Sequence, residues 1–142
     1  MEVTVQHLGA VQFEIKTRNH IVISDQPVEA GGFDEGMTPP EFLLASLGSC
    51  AAYYAVDYLR RNNLLKEGTK VTVSAEKMKN ITPGVPFRGA RLDNFTIEVH
   101  APIELTDQQR QGLEDSVHRC LVHNTLMTPP KVTLEIKSAV TA

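Results

Sequence analysis

Thr38-Pro39-Pro40-Glu41-Phe42-Leu43-Leu44-Ala45-Ser46-Leu47-Gly48-Ser49-Cys50-Ala51-Ala52 is the stretch on which the reading of this chain turns. Thr38 is a residue type that caps helices, and Pro39 or Pro40 suits a first helical turn, where no partner for the missing N–H is needed. The spacing predicts a helix from about Glu41 to about Arg61. Between Phe42 and Val56 it is apolar almost all round, which predicts a long, central, buried helix rather than a surface one. Arg60 and Arg61 put cations at the negative end of its dipole. One short sheet and one further helix do not supply cover on every side. The pattern therefore predicts a homodimer with the central helices packed together.

Working outward, the residues before this helix alternate with period two. Val3 and Val5, then Val11, Phe13 and Ile15, then Ile21 and Ile23 predict three strands, with turns at Leu8-Gly9-Ala10 and Arg18-Asn19-His20. A Gly- and Pro-rich loop is expected over residues 25–40. After the helix, Val71, Val73 and Ala75, then Phe95, Ile97 and Val99 predict two more strands. A Pro/Gly loop, Ile81 to Gly89, lies between them. Thr106-Asp107-Gln108-Gln109 has the form of a capping box. Leu113, Val117, Cys120, Leu121 and Asn124 then follow at helical spacing until Thr128-Pro129-Pro130. Val132, Leu134 and Ile136 predict a last strand. The expected order is β-β-β-α-β-β-α-β, an α+β arrangement in one domain spanning residues 1–142.

The chain has 142 residues, 42% of them hydrophobic and 22% charged, with a formal net charge of −3. That balance is ordinary for a soluble protein and lacks the clustered cations of a nucleic-acid partner. No basic segment followed by an apolar run opens the chain, so no signal peptide is expected. Phe42 to Val56 reads as too short and interrupted to span a bilayer. The expected location is cytoplasmic, where a permanent disulfide is disfavoured and a transient one is allowed.

Cysteine is the remaining chemistry. There are 2, Cys50 and Cys120, each on the apolar side of a predicted helix. Free cysteine often packs as a small hydrophobe, so both can be inert. They can equally be a guarded redox pair, which needs a thiolate with a depressed pKa. Cys50 lies about three turns into its helix, too far for that helix's own dipole to help. His123 falls where it can touch Cys120. Cys50, Cys120 and His123 lack the paired spacing of a metal site, so neither metal nor cofactor is expected. No serine-hydrolase, zinc-protease or phosphate-loop motif is present.

Pro27-Val28-Glu29-Ala30-Gly31-Gly32 and Gly36 through Cys50, with Asp25-Gln26 just ahead, resemble the signature of the OsmC/Ohr family. His118-Arg119-Cys120-Leu121-Val122-His123-Asn124-Thr125-Leu126 is similar to that family's second cysteine region. The resemblance implies an intertwined homodimer with active sites at the subunit interface. It also implies reduction of organic hydroperoxides, with a dithiol such as a lipoyl protein as reductant. Cys50 would be the peroxidatic thiol and Cys120 the resolving one, closing a disulfide on the Cys50 sulfenic acid. Arg18 corresponds best to the arginine that flanks the thiol, and Glu41 to the acid. Pro40, however, stands where the Ohr branch has its acid. Glu41 comes one residue later, about 100° around a helix. The chain thus looks closer to less-characterised OsmC-like branches. The alternative function is a small-molecule-binding or redox-sensing module on the same fold, without efficient peroxidase activity.

Overall fold

The computed structural model describes residues 1–79 and 89–139. Its elements are β1 (Thr4–Gly9), β2 (Gln12–Thr17), β3 (His20–Ser24), α1 (Pro39–Arg61), β4 (Lys70–Lys79), β5 (Ala90–His100), α2 (Asp107–Val117) and α3 (Leu121–Met127). The α+β class and the first five strands fall where the alternation puts them. The Pro/Gly loop expected from Ile81 lies, but for Gly89, outside the described residues.

β1, β2 and β3 form an antiparallel meander, and β4 and β5 an antiparallel pair. α1 packs on β4, β5, α2 and α3, while the meander packs mainly within itself. The core is small: Ala51, Ala55 and Leu59 of α1 meet Leu113 and Val117 of α2, flanked by Val71, Ile97 and Val99. Close approach explains two glycines. A Cβ on Gly48 would come within 3.2 Å of Val73 Cγ2, and one on Gly112 would run into the Tyr58 ring. Ser116 Oγ donates to Tyr54 O at 3.0 Å, tying α2 to α1.

The loop joining the meander to α1 is built around Asp25, which is fully buried. Its carboxylate accepts from the N–H groups of Gln26 (2.8 Å), Phe33 (3.1 Å) and Glu35 (3.2 Å) and from Gln12 Nε2 (3.3 Å). Burial works against that charge, and the four donors outweigh it, so the carboxyl is held below its ordinary pKa. Gly32 is required here, because a Cβ would collide with the Gln26 carbonyl.

Four expectations are corrected or qualified. First, within a single chain α1 is not buried all round. Only Leu47, Ala51, Ala55 and Leu59 are buried, one stripe at i, i+4 spacing, while Leu43 and Tyr53 are exposed. Second, its 23 residues make it long and apolar enough, by length and composition alone, to cross a membrane. The buried stripe, which packs on α2 and the β4–β5 pair, is what a core helix shows. Third, the helix expected from Thr106 to Thr128 is two helices. Cys120 adopts φ −57° and ψ 121°, leaves the helical region, and restarts the chain as the N-cap of α3. Fourth, residues 129–139 form no strand. Val132, Leu134 and Ile136 are 88, 84 and 86% exposed. A strand exists only through its ladder partner, and among the described residues this segment has none.

Candidate active site

α3 is the element that builds the site. It has 7 residues, none of them buried, well below the length at which a helix holds itself together in water. Its first three N–H groups have no partner within the helix, and a sulfur atom supplies one for the third. His123 N donates to Cys120 Sγ at 3.4 Å. Cys50, about three turns into α1, lies beside Cys120 and the start of α3, whose groups bear on its acidity. The two cysteines, 70 positions apart by number, are thus direct neighbours, and both are free.

The environment separates their acidities. For Cys50, burial is the largest influence and opposes ionisation. The hydrogen bonds from Cys120, Val122 and Leu121 outweigh it and lower the pKa. For Cys120, burial is again largest and raises the pKa. Donating to Cys50 and lying beside its charge raise it further, against the N–H groups of His123 and Val122. Cys50 is half-buried and Cys120 fully buried. The arrangement therefore sets a half-buried thiol with a lowered pKa beside an enclosed thiol with a raised one. A lowered pKa favours the thiolate, which is the nucleophilic form of cysteine.

The other two residues named from sequence stand apart from this centre. Glu41 lies in the first turn of α1, where its carboxylate accepts from Thr38 N (2.7 Å) and Thr38 Oγ1 (2.8 Å). These bonds, backbone first, hold its pKa down. Arg18 is exposed in the β2–β3 turn, at φ 50°. Among the described residues, neither contributes to the acidity of Cys50. Cys50, Cys120 and His123 do not form a metal-holding group among the described residues.

Sequence reasoning missed the α3 N-terminus as the source of thiolate stabilisation. Cysteine is not a usual N-cap residue, so nothing in the spacing of Leu113, Val117, Cys120 and Leu121 marks a break. Beside the site, a cleft of about 1070 Å³ is bounded by Phe95, Ile97 and Val99 of β5, Leu113 and Val117 of α2, and Leu126 and Met127 of α3. His118 and His123, stacked with ring centroids 5.4 Å apart, also line it.

Fold and site together define an α+β protein with a paired-thiol centre capped onto a short helix. The chain belongs to the family of OsmC-like proteins, whose pattern it matches over residues 32–135. A protein from Psychrobacter arcticus, described as an osmotic-stress-induced and detoxification-response protein, superposes with a TM-score of 0.67 at 22% identity, over 87% of this chain and 85% of that one. An OsmC-like protein of Mycoplasma pneumoniae gives 0.65 at 18% identity, over 90% and 87%. An organic hydroperoxide resistance protein of Legionella pneumophila gives 0.62 at 15% identity, over 90% of each chain. At such identities the likeness speaks for the fold alone. No protein of curated function matches the chain.

Proposed function

We propose that this chain is a thiol-dependent peroxidase that reduces organic hydroperoxides, acting as a cytoplasmic homodimer without metal or cofactor. The observation that carries this reading is the pairing of two free thiols, half-buried Cys50 and buried Cys120, close enough for Cys120 to lower the pKa of Cys50. The Cys50 thiolate attacks one peroxide oxygen and the O–O bond breaks, giving a sulfenic acid and an alkoxide. Cys120 gives its proton to the alkoxide, which leaves as alcohol. The Cys120 thiolate then attacks the Cys50 sulfur and expels hydroxide, closing a disulfide. A dithiol, such as a lipoyl group on a partner protein, restores both thiols. The family includes neighbours from Legionella pneumophila and Elizabethkingia anophelis described as organic hydroperoxide resistance proteins, which supports the substrate class.

In this reading Arg18 and Glu41 act only if assembly or substrate brings them to Cys50. The engagement of Glu41 by Thr38 and the exposed position of Arg18 favour a second reading, a ligand-binding or redox-sensing module with slow turnover. The deciding measurement is consumption of cumene hydroperoxide with dihydrolipoamide as reductant. The expected result is turnover by wild type and none by Cys50→Ser. No turnover by wild type, or full turnover by Cys50→Ser, sinks the peroxidase reading. Tight binding of an apolar ligand without turnover would establish the second.

A further inference from the structure

We propose that Ser116 is a positioning residue for the thiol pair: its hydrogen bond to Tyr54 O pins α2 on α1 in the register that sets Cys120 against Cys50. The proposal rests on reading the two cysteines as a redox pair, and it names what holds them opposite each other.

The contacts between α1 and α2 run in opposite directions and step by i, i+4 along both helices. Tyr58 lies against Gly112, where a Cβ would run into its ring. One turn back along α1 is Tyr54 and one turn on along α2 is Ser116, and Ser116 Oγ donates to Tyr54 O at 3.0 Å. The same step once more leads back to Cys50 and on to Cys120. The thiol pair is thus the third rung of an antiparallel packing whose first two rungs are a steric fit and a hydrogen bond. Cys120 lies just past the end of α2 and is tied to it by a tight turn. Arg119 N donates to Ser116 O at 3.1 Å and Cys120 N to Val117 O at 2.9 Å. The placement of Ser116 therefore decides that of Cys120.

The chemistry of Ser116 fits a pin and not a filler. It is 3% exposed and shares the buried face of α2 with Leu113 and Val117. A hydroxyl there costs free energy unless it is hydrogen-bonded, and alanine is the better helix former. A helical serine commonly bonds back to the carbonyl four residues earlier in its own helix. Ser116 reaches across to the other helix, and among the described residues it makes the one side-chain hydrogen bond between α1 and α2. Tyr54 O already has its α-helical partner four residues on, so the hydroxyl adds a constraint between helices. The surrounding contacts of Ala55, Leu59, Leu113 and Val117 are apolar and non-directional. A hydrogen bond resists sliding because it depends on distance and angle. Disulfide closure needs that precision, with Cβ atoms about 3.5–4.5 Å apart. Ser116 and Cys120 are both buried within one chain, so the pin does not depend on what a second copy covers.

The test is the thiol–disulfide equilibrium of the pair in glutathione buffers of graded ratio, quenched by alkylation and counted by mass spectrometry. Cys50 attacks oxidised glutathione and expels one glutathione thiolate. Cys120 then attacks the Cys50 sulfur of the mixed disulfide and expels the second. The equilibrium constant reports the effective concentration of one protein thiol at the other. No peroxide is involved, so a wild type that fails to turn over cumene hydroperoxide sinks the peroxidase reading and leaves this measurement intact. Ser116→Ala orphans no carbonyl and should fold, with the constant lowered about tenfold. Ser116→Thr keeps the hydroxyl and should stay near wild type. Val71→Ala trims the margin of the core on β4. It should lower the melting temperature and leave the constant unchanged. Equal constants for wild type and Ser116→Ala overturn the proposal. A fall in Val71→Ala as large as in Ser116→Ala also overturns it, because loosened packing anywhere would then suffice. So does a wild type that forms no Cys50–Cys120 disulfide in the most oxidising buffer.

Discussion

Cys50 and Cys120 differ less in kind than in what surrounds each sulfur. At Cys50 burial is outweighed by Cys120 and the start of α3, and the pKa falls, whereas at Cys120 burial and the neighbouring Cys50 both push the pKa up. Labelling by iodoacetamide should therefore show Cys50 reacting with a half-rise below the ordinary thiol value of about 8.5. Cys120 should stay unreactive across that range. Cys120→Ala removes the S–H donor and should move the Cys50 half-rise upward, and Cys120→Ser, whose hydroxyl still donates, should move it less. Coincident profiles for all three proteins would show that Cys120 does not tune Cys50. The same shift has a stability sign. The lowered folded pKa means the unfolded chain holds the Cys50 proton more tightly. Its stabilising contribution is complete above about pH 8.5 and is lost as pH falls through the folded value. The gap in thermal stability between wild type and Cys50→Ala should accordingly widen as pH is raised through that window. The flanking residues make Cys50 legible in sequence. Its activation is not, because the donors come from α3, and only the packing of α1 on α3 brings them there.

Among elements, legibility follows how local the cause is. Thr106 and Gln109 announce a capping box, and both of its bonds form: Thr106 N to Gln109 Oε1 at 2.9 Å and Gln109 N to Thr106 Oγ1 at 3.2 Å. Thr38 and Glu41 likewise mark the start of α1. The interruption between α2 and α3 escapes the pattern, because Cys120 keeps the apolar register while its backbone leaves the helix. Val132, Leu134 and Ile136 alternate as a strand should, yet pairing is a property of two segments, and one segment's sequence cannot supply the second. The loop before α1 is dense in glycine for a reason the sequence does not display, the approach of Gly32 to Gln26 O and of Gly36 to Ile23 O. Gly32→Ala should therefore displace the loop from Asp25 and destabilise the fold by about 1–3 kcal/mol, measured by urea unfolding. Gly31→Ala, with no atom near its missing Cβ, should meet only the strain of its φ of 87°. An undisturbed Gly32→Ala variant would mean that the close approach is not maintained in solution.

At the scale of the molecule, the apolar surface left by a single chain is the strongest argument for a partner. The buried stripe of α1 is narrow, while Tyr53 on the same helix is 69% exposed and Leu121 of the neighbouring α3 is 65% exposed. Val5, Ile21 and Val22 leave the β1–β3 meander uncovered, and a small sheet needs an apolar face packed against something to be stable. Val132, Leu134 and Ile136 add a third uncovered set on a segment patterned as a strand. Unpaired strands and contiguous apolar patches mark surfaces that associate. We propose that a second copy of this chain supplies that cover. Sedimentation should give a dimer at micromolar concentration. Tyr53→Asp, which sets a charge on the exposed flank of α1, should shift it toward monomer and lower the melting temperature together with the affinity between copies. Truncation after Pro130 should do the same if the alternating tail is buried by the partner. A clean monomer for wild type at that concentration, with Val132–Ile136 amides exchanging freely, would show that the exposed surface is tolerated and the dimer reading is wrong.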